Sequence, residues 1–151
     1  MQTFLPYPSF TKSAKCLDRM RLGKQRVECL QILNALLSPG TSRWENHPAV
    51  KMWRGYEEAL CVYGMCICAD WIGRGYADTC FGKIQALAPG SRTLVGKAGV
   101  LPDDIVPWWY GDHRLHASHR SNLLRKDKNW YGKFGWKETD DIPYFWPTAS
   151  P

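Results

Sequence analysis

Two runs of apolar residues at helical spacing set the limits on this fold. Leu22, Cys29, Leu30, Leu33, Leu36 and Leu37 share one face of a helix that the spacing predicts from about Ala14 to Leu37. Ser13 or Thr11 is its candidate N-cap, and the Pro-Gly of SPGTS (38–42) ends it. WENHPAV then opens a second helix with Pro48 in its first turn. Val50, Trp53, Leu60, Ile67 and Trp71 recur at three- or four-residue steps, or multiples of them, and carry that helix to about Gly73. A short helix is expected through Leu87, and a further helical pattern runs from Asp112 as N-cap to about Lys126.

Strand signals are weak throughout. The expected fold is mainly α, a compact single domain (residues 1–151) of about three principal helices. Around them lie an irregular, Pro-punctuated N-terminal arm (FLPYPSF), a Gly- and Pro-rich loop at 88–105 and an aromatic, basic C-terminal segment.

Charge and aromatic content narrow the function. The net charge is +6, and the chain carries eight Trp and seven Tyr. A basic balance suits a polyanionic partner, and aromatics interleaved with cations fit nucleic acid better than a membrane, since rings stack on bases. MQTFLPYPSF lacks the charged and long apolar regions of a secretory signal, and ALCVYGMCICADWI is too short and interrupted to span a bilayer; the cytoplasm is the expected location. Cys16, Cys29, Cys61, Cys66, Cys68 and Cys80 form no CxxC pair and no zinc-finger spacing, and read as reduced core residues.

The stretch LDRMRLGKQRVECLQIL (17–33) puts Arg19, Arg21, Lys24 and Arg26 ahead of a lone acid, Glu28. On a helix, Arg21, Gln25, Glu28 and Ile32 form one ridge beside the apolar stripe. Arg26 falls inside the stripe, where a guanidinium must snorkel, pair with a carboxylate or face something other than core. Gly23 costs about 1 kcal/mol in mid-helix relative to Ala, so either something approaches the backbone there or the helix starts after it. Glu28 is either a solvated flank carboxylate paired with Lys24 or an acid/base group beside a phosphate-binding ridge.

In HRLHASHRSNLLRKD, His113, His116 and His119 lie three apart. The set lacks HExxH, so proton transfer or phosphate contact is a better expectation than metal. His116, His119, Arg120, Asn122, Arg125 and Lys126 form a candidate phosphate-gripping face. NWYGKFGW adds Trp130, Tyr131 and Lys133 as a stacking or strand-distorting element.

LGKQRVECLQIL, the upstream arm and WYGKFGW together resemble the pyrimidine-dimer DNA glycosylases of the phage endonuclease V type and their bacterial relatives. HPAVKMWRGYEEAL and SHRSNLLRKD resemble a bacterial and phage subgroup of that family. The resemblance implies a mainly helical domain without metal or cofactor, acting on duplex DNA; nothing in the sequence suggests an obligate dimer, so a monomer with no obligate protein partner is expected. It implies base flipping, attack by the chain's own α-amino group at C1′, and an imine that couples excision to strand cleavage. By position the family's glutamate matches Glu28, and its basic contacts match Arg21 and Arg26. The arginine that directly precedes that glutamate in the family is Val27 here. Gln2 is too bulky for routine removal of the initiator, so the amine falls to Met1, with Gln2, Arg19, Lys24 and Gln25 among the DNA contacts.

Three functions remain open at this point. The leading one is a glycosylase with abasic-site lyase activity on a damaged or modified pyrimidine. The others are a tailoring enzyme that transfers a group onto a modified pyrimidine in phage DNA, and a non-catalytic nucleic-acid-binding module.

Overall fold

The computed structural model describes residues 1–88 and 101–147, so most of the loop expected at 88–105 lies outside the described residues. Among the described residues seven α-helices follow one another: α1 (Phe10–Cys16), α2 (Arg19–Leu37), α3 (Pro48–Lys51), α4 (Glu57–Gly73), α5 (Cys80–Leu87), α6 (His113–Lys126) and α7 (Lys128–Tyr131). Three are long, α2, α4 and α6, and no β-strand occurs among the described residues.

Both of the long helices expected from the first two runs are split. The helix expected from Ala14 breaks at Leu17, whose backbone is extended, and Asp18 starts α2 by accepting from the Arg21 amide. An Asp side chain caps a new N-terminus better than it continues an old helix, and that local gain outweighs the unbroken period. Ser9, not Thr11 or Ser13, caps α1. The second run stops after Lys51, turns through Gly55 at φ 88°, and restarts at Glu57. Pro48 sits in the first turn of α3 and Asp112 caps α6, as the sequence indicates.

The core forms where α4 packs on α2, with α1 and α5 against its flanks. Gly64 makes the crossing close: a Cβ there would lie 2.5 Å from Cys29 Sγ and 2.9 Å from Ile84 Cδ1. Gly23 answers to Trp71, whose ring would stand 2.9 Å from an added Cβ. Arg26 resolves its placement inside the stripe by pairing with Asp78 and lying 4.4 Å from the Trp71 ring centre. All six cysteines are free, and five are buried.

The N-terminal arm is part of this core. Residues 2–6 are buried without a sheet to satisfy their backbone, and side chains do that work instead. Gln25 takes the Phe4 N–H at 2.9 Å, and the Tyr63 hydroxyl meets the Phe4 carbonyl at 2.9 Å. His119 Nδ1 accepts the Leu5 N–H at 2.8 Å, His116 Nδ1 meets the Leu5 carbonyl at 2.7 Å, and Arg120 donates to the Pro6 carbonyl at 2.8 Å. The arm thereby lies clamped between α2, α4 and α6.

The C-terminal segment is tied to α6 in the same manner. Ser121 accepts the Ile142 N–H, Asn122 donates to the Ile142 carbonyl, and Ser118 accepts the Phe145 N–H.

Candidate active site

A cleft of about 270 Å³ opens where the arm meets α2. Helix α2 contributes Met20, Arg21, Lys24, Gln25 and Glu28; the arm contributes Met1, Gln2 and Phe4; Lys126 and Tyr144 close the other side. The first three turns of α2 supply most of this wall because residues three and four apart stack on one ridge.

Glu28 is 9% exposed, a buried carboxyl at the edge of the core. Its Oε2 accepts from Gln25 Nε2 at 2.8 Å, and its Oε1 stands 3.9 Å from the Lys24 ammonium. Lys24 is largely solvated, so that pair is weak and the Gln25 bond positions the carboxylate. Gln25 Nε2 also donates to the Gln2 carbonyl at 2.8 Å, so one amide group fixes the Glu28 carboxylate and the base of the arm together.

The cleft is cationic. Lys126 titrates below the ordinary lysine value, because it is partly buried and stands among Arg21, Arg125 and Lys24; Glu28 opposes that trend. Arg21 is held by Asp18 at 3.1 Å. Burial pushes the Asp18 carboxyl up, but hydrogen bonds from Tyr131 and Arg21 outweigh it and leave the group below its usual value. The arrangement can hold phosphates and present a carboxyl group to whatever enters.

Among the described residues no three His, Cys, Asp or Glu side chains are grouped to hold a metal ion, and no helix is long and apolar enough to cross a membrane. A family model described as pyrimidine dimer DNA glycosylase matches residues 1–83. The chain belongs to that family. Membership makes it a DNA-acting enzyme of the glycosylase kind. No curated protein and no solved structure matches it significantly. The matched part holds the arm and helices α1 to α4, and so carries Met1, Gln25 and Glu28; Lys126 and Tyr144 come from beyond it.

The glycosylase gathers seven of the residues expected at its site into the cleft: Met1, Gln2, Arg21, Lys24, Gln25, Glu28 and Lys126. Arg19 is exposed nearby, 5.9 Å from the Tyr76 ring centre. Other expected DNA contacts have structural positions. Arg26 is engaged by Asp78 and Trp71. His116 and His119, expected as phosphate contacts, are buried and hold the Leu5 backbone. Arg120 makes a two-pronged pair with Glu138 at 2.8 and 2.9 Å, and Asn122 is buried on Ile142. Arg125 bonds Asn122 and the Asp140 carbonyl.

In the tail, Tyr131 is buried with its hydroxyl on Asp18, so it braces the N-terminus of α2. Trp130 donates to the Cys16 carbonyl at 2.8 Å, and Lys133 lies 3.4 Å from the Trp130 ring centre.

Phe4, Met20 and Tyr144 line the cleft without having been expected there. Met20, which is 73% exposed, carried a signal as an apolar side chain inside a basic run. Tyr144 carried none, because only the pinning of the tail to α6 brings it round.

Proposed function

We propose that the chain excises a damaged or modified pyrimidine from duplex DNA by swinging the nucleotide out of the stack into the cleft, with Met1 as nucleophile and Glu28 as acid/base. One observation carries this reading: Met1 and the buried Glu28 carboxyl line the same cationic cleft. An α-amino group has an ordinary pKa of about 7.7–8.0, so a useful fraction is the free amine near neutral pH. Gln2 is buried and its carbonyl is bound by Gln25, so the register of the arm is set one residue behind the amine.

In the proposed reaction the amine's lone pair attacks C1′ of the swung-out nucleotide and the glycosidic bond breaks. The base leaves with the electron pair of the glycosidic bond and takes a proton supplied by Glu28. One amine proton then passes to O4′ as the C1′–O4′ bond breaks, which opens the ring and leaves a protonated imine linking Met1 to the sugar. The carboxylate of Glu28 then removes a 2′ proton, and the 3′ phosphate leaves by β-elimination. Lys24, Arg21 and Lys126 hold the backbone phosphates while this proceeds.

Borohydride reduction tests the reading. Protein with a free N-terminus, incubated with duplex containing a pyrimidine dimer or an abasic site, is expected to give a stable covalent adduct whose modified peptide begins at Met1. Blocking the terminal amine is expected to abolish it. Binding without any adduct on either duplex would sink the mechanism, and release of a modified nucleoside in place of free base would indicate tailoring.

A further inference from the structure

Tyr144, which lines the cleft, is the first of a row of rings. Tyr144 and Trp146 have centres 5.5 Å apart, Trp146 and His47 are 5.8 Å apart at 88°, and His47 and Trp44 are 6.0 Å apart at 75°. All four side chains are half-buried, so each retains accessible surface. Three are outside any role described above, and Trp146 lies beyond the part of the chain that the family model matches.

His47 sits in this row with a defined tautomer. Its Nδ1 accepts the Ala49 N–H at 3.0 Å, so a neutral ring carries its proton on Nε2. Among the described residues Nε2 has no hydrogen-bond partner, and it is not sealed in the interior. Burial first, and the positive charge of the chain terminus second, hold the imidazole below its ordinary value and keep it neutral at pH 7. Tyr144 reaches the cleft at one end of the row, and at the other Arg43 lies over Trp44 at 4.9 Å.

We infer that Trp44, His47, Tyr144 and Trp146 form a nucleobase subsite at the Tyr144 edge of the cleft, the rings packing on the base and His47 Nε2–H donating to a carbonyl or ring nitrogen on its edge. A nucleotide whose C1′ stands at the amine must direct its base somewhere, and aromatic surface with one fixed donor is the chemistry that receives a base. The inference deepens the excision reading and rests on it for the placement of C1′.

The test compares two short duplexes, one carrying a cyclobutane thymine dimer and the other a tetrahydrofuran abasic analogue at the same place. Trp146→Ala is expected to weaken binding to the dimer duplex about 5- to 150-fold, the range for loss of one base–aromatic stack. Its affinity for the abasic duplex is expected to stay within about twofold. Trp146→Phe should recover most of the loss. His47→Asn keeps an acceptor for the Ala49 amide while losing the ring and the Nε2–H at its far edge, and should weaken only the dimer duplex. Equal losses on both duplexes, no loss on the dimer duplex, or a wild type that binds both alike would each overturn the subsite. The excision reading fails separately, through absence of the borohydride adduct with wild-type protein.

Discussion

Gln25 donates to the Glu28 carboxylate at 2.8 Å and uses its whole hydrogen-bonding capacity in doing so. The second Nε2 hydrogen goes to the Gln2 carbonyl, and Oε1 takes the Phe4 N–H at 2.9 Å and the Tyr63 hydroxyl at 2.7 Å. Two donors and two acceptors saturate a glutamine amide. Gln25→Leu keeps the volume and orphans several buried groups, each worth about 1–3 kcal/mol. We expect a loss of at least about 3 kcal/mol in urea unfolding, together with loss of excision. Wild-type stability in this variant would remove Gln25 as the junction of arm and site.

Glu28→Gln separates structure from chemistry. The amide oxygen can still accept from Gln25, so the unfolding midpoint is expected to move by less than about 1 kcal/mol. Excision is expected to fall by about 10²- to 10⁴-fold, the usual contribution of a positioned acid/base group. Single-turnover rates on dimer-containing duplex measure this, and an unchanged rate would make Glu28 structural only.

The two buried histidines set a pH dependence. Burial first, then the neighbouring His116, drives His119 down to about 3; burial also lowers His116, against the opposing bond from Leu5. Below about pH 6.5 the unfolded chain binds protons that the folded imidazoles refuse, so folding stability must drop as pH falls. His119 alone contributes up to about 1.4 kcal/mol per pH unit in that window, which extends down toward pH 3. Asp18, Asp78 and Glu138 have lowered values and stabilise above their ordinary range, so their contribution is lost at still lower pH. Melting temperatures taken between pH 7 and 5 should therefore fall with pH, and His119→Gln should flatten the decline. An identical slope in that variant would exclude the imidazole as its source.

Gly23→Ala pits propensity against packing. Alanine favours the helix by about 1 kcal/mol, but its Cβ would stand 2.9 Å from the Trp71 ring, which lies against Arg26. We expect net destabilisation of about 1–2 kcal/mol, reversed when Trp71 is replaced by Leu in the same chain. A stabilised Gly23→Ala would mean that the ring moves aside at little cost.

Lys126→Ala should weaken duplex binding and reduce the slope of log K against log salt by about 0.9, the signature of one lost phosphate contact. Titration at several salt concentrations measures the slope. An unchanged slope would place Lys126 outside the DNA interface.

Local signals were read well and distant ones poorly. Asp112 and Pro48 mark their helices from the sequence because capping and proline geometry act within one turn. The break at Leu17 stayed hidden, since the apolar period runs on through it and only the Asp18 cap interrupts it. Glu28 and Gln25 were legible as a ridge. His116 and His119 were not, because three-residue spacing among basic residues looks like a wet surface. Their burial depends on an arm more than 110 positions away in the chain, which no periodicity encodes.

That separation has a consequence for synthesis. Leu5 is made well before His119, which receives its amide 114 positions later. A growing chain cannot close so long a loop until nearly all of it has emerged, so the arm must wait free in the meantime. The arm therefore acquires its position only once α6 has been made, and products truncated before α6 would carry Met1 and Glu28 with the arm unclamped.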